Sequence, residues 1–296
     1  MILTPVHVSV RGVRLFFDVD GAQLVPHGPW MRERPTILLL HPGPGFDHAL
    51  YKAYIGPLLS ERAQVVYLDL RGHGRSDRSS PEHLTLETWA DDLAALCETL
   101  ELERPIVFGA GFGSLVAIRF AARHPERPRG LVLASPVARI VAARSIAVYD
   151  RLGGPEAGEA ARAYYEDFDE HAFAEFLRRC LPLLTTTHAT AELIARADWS
   201  PETLLHWNRG EGKTFDLRED LGRIRVPTLV VGGEDDAWAP PAAVDEVVES
   251  LPPELVQSLS APGARHSVFR DSLQALGELG RFLDELEADD EEPEAE

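Results

Sequence analysis

An apolar run that passes into a helical pattern through a cluster of glycines constrains this chain more than any other feature. The stretch reads Ile106-Val107-Phe108-Gly109-Ala110-Gly111-Phe112-Gly113-Ser114-Leu115-Val116-Ala117. Small residues at such a junction let a buried strand and the helix that follows it come into backbone contact. The sequence therefore predicts a strand, a sharp turn and a helix at this place.

The junction has the frame of a nucleophile elbow, Gly-x-Ser-x-Gly, but lacks the serine. In that motif the serine adopts a strained backbone conformation and presents its hydroxyl at the edge of a sheet. Gly111 occupies the serine position between Gly109 and Gly113, and Ser114 is interpreted as a packing residue because glycines do not flank it in the required register. Since glycine adopts positive φ easily, the replacement relieves strain of about 1–3 kcal/mol. It also removes the group that acyl transfer needs.

Length and composition indicate a globular protein of one large α/β domain with an insertion. The chain has 296 residues, of which 45% are hydrophobic, and no stretch approaches the roughly 20 apolar residues of a membrane span. The first residues lack the basic region and long apolar segment of a secretory signal. Cys97 and Cys180 lie far apart without metal-type neighbours, so we expect buried thiols and a cytoplasmic location.

Acidic residues dominate the charge and cluster near the end of the chain. The formal net charge is −19, which argues against binding of nucleic acid or another polyanion. Residues 287–296 are predicted to form an acidic, disordered tail. The sequence shows no phosphate-binding glycine loop, no dinucleotide fingerprint and no metal-ligand spacing, so no cofactor and no metal are expected. It carries no signal for the oligomeric state.

Strands and helices alternate along most of the chain after a leading hairpin. The hairpin is predicted at Val6–Val10 and Val13–Val19 and a polar loop follows it; the later predicted strands are Thr36–Leu40, Gln64–Leu70, 106–110, 130–136, 227–232 and Leu255–Leu259. Helices are predicted at Ala49–Ser60, Leu86–Leu102, Leu115–His124, Pro241–Leu251 and Val268–Leu286. This alternation predicts a mostly parallel, doubly wound sheet. Residues 1–136 and 222–286 would form the core, with an inserted helical cap at 137–221.

The elbow and four further ordered motifs resemble those of α/β-hydrolases, in particular the proline-iminopeptidase-like branch. Besides the elbow they are His41-Pro42-Gly43-Pro44-Gly45, Asp69-Leu70-Arg71-Gly72-His73-Gly74-Arg75-Ser76, Gly233-Glu234-Asp235-Asp236-Ala237-Trp238-Ala239-Pro240 and Gly263-Ala264-Arg265-His266-Ser267. In that order, these four are similar to the branch's His-Gly-Gly-Pro-Gly loop, its Asp-x-Arg-Gly-x-Gly-x-Ser turn, the loop that carries its acid and the loop that carries its histidine. The resemblance implies the α/β-hydrolase fold for everything except the cap.

The resemblance also implies roles for individual residues. His266 would be the general base, and Asp236, favoured over Asp235 by its distance from Pro240, would hold the imidazole tautomer. The backbone N–H groups of Gly43 and Phe112 would form an oxyanion hole. A second group is expected to shape loops without touching substrate: His41, Arg71 and Asp77.

Three hypotheses about function follow from a base and an anion hole without a nucleophilic side chain. The first is an enzyme in which His266 deprotonates water or the substrate itself, giving non-covalent hydrolysis or a lyase or isomerase reaction. The second is an inactive homologue that uses the pocket to bind ligands. The third is a Ser-to-Gly variant of an ester or amide hydrolase, with Gly111 at the altered position.

The substrate is expected to be a small organic molecule, and the sequence identifies it no further. Trp238, Tyr164 and Trp207 are the candidate contacts, although aromatic residues in a helical cap often pack on one another. Acidic cap residues could bind an amine or could simply form a solvated face: Glu166, Asp167, Asp169 and Glu170.

Overall fold

The computed structural model describes residues 6–186 and 196–291 of the chain. Ten strands lie in these ranges: β1 (His7–Val10), β2 (Val13–Asp20), β3 (Leu24–His27), β4 (Trp30–Glu33), β5 (Thr36–Leu40), β6 (Gln64–Leu68), β7 (Ile106–Ala110), β8 (Gly130–Ala134), β9 (Thr228–Gly233) and β10 (Val256–Ala261). Eight of them form one sheet in the order β1-β2-β6-β5-β7-β8-β9-β10. The pairs from β6 to β10 are parallel, whereas β2 pairs antiparallel with both β1 and β6. The predicted fold class is confirmed.

The central strands are apolar along their whole length because helices cover both faces of the sheet. The helices are α1 (Ala49–Ser60), α2 (Leu86–Thr99), α3 (Phe112–Arg123), α4 (Ala142–Gly153), α5 (Pro155–Glu166), α6 (Glu170–Arg179), α7 (Pro201–Arg209), α8 (Arg218–Leu221), α9 (Pro241–Ser250), α10 (Val268–Asp271) and α11 (Leu273–Glu291). On one face α2 and α3 bury Trp89 and Phe120, and on the other α1 and α11 bury Ile55 and Phe282. The parallel strands therefore end between two apolar layers, at one edge where loops meet.

The segment between β8 and β9 holds the helices α4 to α8. Helices α4, α5 and α6 share a small core of their own that includes Tyr149, Ala161 and Phe176. Trp207 of α7 and Leu221 of α8 instead pack into the core beneath α2 and α3. The last part of the range 137–221 is thus joined to the sheet domain by apolar packing, and the residue limits of a separate cap stay a prediction.

Two stretches differ from the sequence prediction. The expected polar loop after β2 contains an antiparallel hairpin, β3–β4, in which Leu24 pairs with Glu33 and His27 with Trp30. Its large side chains are exposed, Trp30 by 75%, so no alternation of buried and exposed positions marks these strands in the sequence.

The C-terminal helix is also different from the prediction. The single helix expected at Val268–Leu286 is interrupted at Ser272, which is extended (φ −132°, ψ 117°), and α11 then continues to Glu291. The predicted tail therefore begins in helical backbone over 287–291, and its remainder, 292–296, lies outside the described residues. In the described part of the chain no helix combines the length and the apolar character needed to cross a membrane.

Candidate active site

The elbow between β7 and α3 has the backbone geometry of its motif at Gly111. Its φ of +50° and ψ of −113° lie where residues with side chains are strained. A Cβ on Gly109 would lie 2.6 Å from the Gly113 carbonyl oxygen. A Cβ on Gly113 would lie 2.7 Å from the His41 carbonyl oxygen and would also collide with that of Leu40. The outer glycines therefore bring strand, helix and the loop after β5 into contact.

His266 and Asp236 come from two different loops and lie in hydrogen-bond contact. The His266 Nδ1 is 2.9 Å from Asp236 Oδ2. The other oxygen, Oδ1, accepts the backbone N–H groups of Trp238 at 2.8 Å and Ala239 at 2.9 Å. Asp236 is completely buried, and an anionic carboxylate with these three donors is fully satisfied. Asp235, the competing candidate, forms an ion pair with Arg151 instead.

The imidazole of His266 extends over Gly111. A Cβ built on Gly111 would lie 2.9 Å from Nε2 and 3.2 Å from Cε1 of His266. Since Nδ1 donates to Asp236, Nε2 carries the lone pair of the neutral ring and is the basic nitrogen. Nε2 thus faces the position that a nucleophilic side chain occupies in the Gly-x-Ser-x-Gly motif.

Two further contacts fix the His266 loop. The Ser135 hydroxyl, at the end of β8, donates to the His266 carbonyl oxygen at 3.1 Å. The Trp238 ring packs against the imidazole with centroids 4.9 Å apart. Trp238, predicted as a substrate contact, therefore also packs against the histidine, and its backbone N–H donates to Asp236.

The predicted oxyanion loops lie side by side. Phe112 is the first residue of α3, where backbone N–H groups have no partner within the helix. The loop that carries Gly43 begins at His41, whose carbonyl touches Gly113 of α3. His41 is fully buried, donates from Nδ1 to the Pro42 carbonyl at 2.7 Å and accepts the Leu70 N–H on Nε2 at 3.3 Å. Burial lowers the pKa of His41, so the neutral ring shapes this loop.

The turn after β6 is held by ion pairs. Arg71 binds Asp92 through Nε at 2.6 Å and Nη2 at 2.8 Å, with both side chains buried. Asp77 accepts the Arg14 guanidinium at 2.8 Å at the surface. These contacts place Arg71 and Asp77 in the structural framework of the turn.

A cavity of about 400 Å³ opens beside the histidine. His266, Gly43 and the three predicted substrate contacts, Tyr164, Trp207 and Trp238, all line it. Gly111 and Phe112 are not part of its described lining, since His266 covers the first and the ring of the second packs between Trp89 and Trp207. A water attacking a substrate would therefore approach Nε2 from the cavity and not from directly above Gly111.

Comparisons with known proteins show the family to which the chain belongs. A family model described as the alpha/beta hydrolase fold matches residues 35–272, which include the elbow, the acid loop and the histidine loop. The chain belongs to the α/β-hydrolase family.

This α/β-hydrolase is similar in sequence to proteins named as peptidases and as esterases. It is 28% identical over 312 residues to a proline iminopeptidase of Levilactobacillus brevis, covering 96% of this chain and 97% of that protein. It is 32% identical over 191 residues to a pimeloyl-(acyl-carrier protein) methyl ester esterase of Neisseria meningitidis, covering 62% of this chain and 70% of that protein. The structure of a proline iminopeptidase-related protein from Thermus thermophilus matches with a TM-score of 0.74 and 25% identity over 97% of this chain and 98% of the other.

Several residues that line the α/β-hydrolase cavity were not predicted from the sequence. Tyr51 and Tyr54 reach it from α1, Asn208 from α7 and Arg270 from α10. The spacing of the two tyrosines, three residues apart on one helix face, is the one signal that could have placed them together. Among the acidic cap residues, Glu166 lines the cavity, whereas Asp169 caps α6 through the Ala172 N–H at 2.7 Å.

Across the described ranges no group of three or more His, Cys, Asp or Glu side chains is arranged to hold a metal ion. The two cysteines are buried free thiols, and burial raises the pKa of Cys97 to about 11 and that of Cys180 to about 12. Neither thiol is poised to act as a nucleophile at neutral pH.

Proposed function

We propose that this α/β-hydrolase acts on a small organic substrate by general-base catalysis from His266, without an acyl-serine intermediate. One observation carries the proposal. The basic Nε2 of His266, held by Asp236 at 2.9 Å from Nδ1, borders a cavity of about 400 Å³ and faces a glycine where the motif has a nucleophile. A pocket used only for binding has no need of this hydrogen-bonded pair.

For hydrolysis the step is attack by water. Nε2 accepts a proton from water as the oxygen adds to the carbonyl carbon, and Asp236 stabilises the imidazolium that forms. The N–H groups of Gly43 and Phe112 are proposed to bind the oxyanion. The imidazolium then returns the proton to the leaving oxygen or nitrogen as the scissile bond breaks. Relatives named as esterases and iminopeptidases support an ester or amide as the substrate.

The same base could act on the substrate directly. A proton on carbon or oxygen of a bound molecule would reach Nε2 from the cavity in the same way as a proton of water. Elimination, isomerisation or carbon–carbon cleavage would follow from that abstraction. The absence of a side chain at Gly111 is compatible both with attack by water and with proton abstraction from the substrate.

A second candidate, a serine hydrolase whose serine is replaced, rests on the backbone at Gly111. Its φ of +50° and ψ of −113° lie in a region that is strained for a residue with a side chain, as the serine of a nucleophile elbow is, although a glycine is free to adopt many other conformations. In this case Gly111→Ser creates a fast ester or amide hydrolase. Because a Cβ at this position lies 2.9 Å from Nε2, the imidazole must shift slightly to admit it.

The experiment that tests the proposal measures both turnover and the covalent state of the protein. A panel of p-nitrophenyl esters, lactones and anilides is hydrolysed in H₂¹⁸O, and intact-protein mass is recorded during turnover for the wild type and for Gly111→Ser. We expect turnover by the wild type with no added acyl mass. An acyl adduct on the wild type would contradict the proposal, and a burst with an adduct only in Gly111→Ser would show that the elbow still supports acyl transfer.

A further inference from the structure

Arg270 is a cation in the wall of the cavity, close in sequence to the base. It lies in α10, four residues after His266, and both residues line the cavity together with Ser267. Its guanidinium carbon is 5.8 Å from the centroid of the Tyr54 ring, which also lines the cavity. The side chain is partly buried, so its charge acts in a site where water only partly screens it.

Arg270 has no acidic partner among the described residues, although the chain has 48 acidic and 29 basic residues. In the described ranges no carboxylate forms an ion pair with it, whereas Arg71, Arg139 and Arg144 each bind one. The adjacent acid is occupied elsewhere. Asp271 accepts the Thr185 hydroxyl at 3.2 Å, the Thr186 hydroxyl at 2.7 Å and the Arg265 N–H at 3.0 Å.

The other charged side chains of the lining are of a different kind. Glu166 and Lys213 are exposed and of opposite sign, and they do not form an ion pair with each other. Most of the remaining lining is aromatic or aliphatic, including Tyr51, Leu184 and Trp199. Among the described lining residues, Arg270 is therefore the partly buried cation of a largely apolar wall.

We infer that Arg270 binds a carboxylate of the substrate, so that this enzyme acts on molecules with an apolar body and an acidic end. A guanidinium presents two parallel N–H donors to a carboxylate, and such a charge-assisted pair is stronger than a neutral hydrogen bond. The cavity volume, about 400 Å³, falls within the usual range for small-molecule sites. Because the protein has a net charge of −19, it repels anions, and a local cation in the cavity wall offsets that repulsion for an anionic ligand. The inference rests on the proposed function, since it concerns the substrate of that same site.

Binding of matched acids and amides tests the inference without requiring turnover. Isothermal titration at pH 7.5 would use benzoate, 4-phenylbutanoate and octanoate against benzamide, 4-phenylbutanamide and octanamide. The proteins are His266→Ala alone and His266→Ala combined with Arg270→Gln, with Arg270→Lys or with Arg162→Gln. Arg162 is an exposed arginine of α5 outside the cavity lining, so it controls for the loss of one positive charge.

We expect at least one acid to bind about 10- to 100-fold more tightly than its amide. Arg270→Gln should abolish that preference, Arg270→Lys should keep part of it, and Arg162→Gln should leave it intact. The inference is overturned if no acid binds better than its amide, or if the preference survives Arg270→Gln. Turnover without acid preference would refute the role of Arg270 alone, whereas acid preference without turnover in the wild type would refute the proposed catalysis alone.

Discussion

The Nε2 of His266 lies 2.9 Å from the point where a Cβ on Gly111 would stand. The imidazole and any side chain at position 111 therefore compete for the same space. A serine at this position would add a hydroxyl as well as a Cβ, so the ring would have to lie farther from the backbone than it does here. The bare glycine is a condition for the present position of the base.

Gly111→Ala should consequently lower both stability and activity. The methyl group forces the imidazole away from its position, and a misplacement of about 1 Å costs on the order of 100-fold in rate. Positive φ adds about 1–3 kcal/mol of strain. Gly28→Ala is the control, because Gly28 has a φ of +58° and no atom of the described residues within 4 Å of its Cβ position. Kinetics and urea unfolding should show lost stability in both variants but lost activity only in Gly111→Ala.

Asp236→Asn should invert the tautomer of His266. Oδ1 accepts the N–H groups of Trp238 and Ala239, so the amide oxygen takes that place and the NH₂ faces Nδ1. The imidazole then carries its proton on Nε2 and cannot act as a base. We expect kcat to fall by about 10³–10⁴-fold, while Asp235→Asn, which removes only the ion pair with Arg151, stays close to the wild type. An Asp236→Asn variant within tenfold of the wild type would show that Asp236 has no such role.

Gly113→Ala and Gly277→Ala should change stability in opposite directions. Both glycines lie in helices, but a Cβ on Gly113 would collide with the carbonyl oxygens of Leu40 and His41, whereas one on Gly277 would have no atom of the described chain within 4 Å. Gly113→Ala should lower the free energy of unfolding by more than about 2 kcal/mol, because the helix and the loop can no longer approach closely. Gly277→Ala should raise it by up to about 1 kcal/mol, because alanine has the higher helix propensity. Urea unfolding measures both. Equal effects would mean that α3 does not need its contact with the loop after β5.

Acid should destabilise the fold through His73. Burial, reinforced by the neighbouring His41, lowers the pKa of His73 to about 3, and its buried Nε2 has no partner among the described residues. The unfolded chain binds a proton near pH 6.5 and the folded chain does not, so stability is full above pH 6.5 and falls as pH drops towards 3. Between pH 7 and pH 5, proton binding by His73 in the unfolded chain should lower the free energy of unfolding by about 2 kcal/mol.

His73→Asn isolates that contribution, since its amide can still donate to the Arg71 carbonyl that His73 Nδ1 contacts at 3.0 Å. The free energy of unfolding should decline less steeply with acid in the variant than in the wild type. Parallel declines at pH 7, 6 and 5 would rule out His73 as the titrating group.

Much of the fold could be predicted because its parallel strands are buried on both faces. β5, β7 and β8 are apolar along nearly their whole length and end at glycine or proline signals, so runs such as Leu38–Leu40 identify them. The hairpin β3–β4 gives no such signal, because its residues are exposed and backbone pairing holds it together. The interruption at Ser272 is equally invisible, since serine is common both at helix ends and within helices.

The pairing of His266 with Asp236 was predicted from motif resemblance, and the structure brings the two side chains together. The cavity could not be predicted, because spacing does not say which aromatic residues face inward. Tyr164 stacks on Phe176 with centroids 4.0 Å apart and also lines the cavity, and Trp207 is both a core residue and a lining residue. Only the packing of the helices between β8 and β9 decides such cases.

The central claim is that His266 is a working base without a protein nucleophile, and the most direct measurement is turnover by His266→Ala. Wild type, His266→Ala and His83→Ala, which alters an exposed histidine, are compared on the same panel of esters, lactones and anilides. We predict turnover by the wild type and by His83→Ala, and a loss of at least about 10²–10⁴-fold in His266→Ala. Turnover that survives in His266→Ala, or a wild type that turns over none of the panel, would contradict the account.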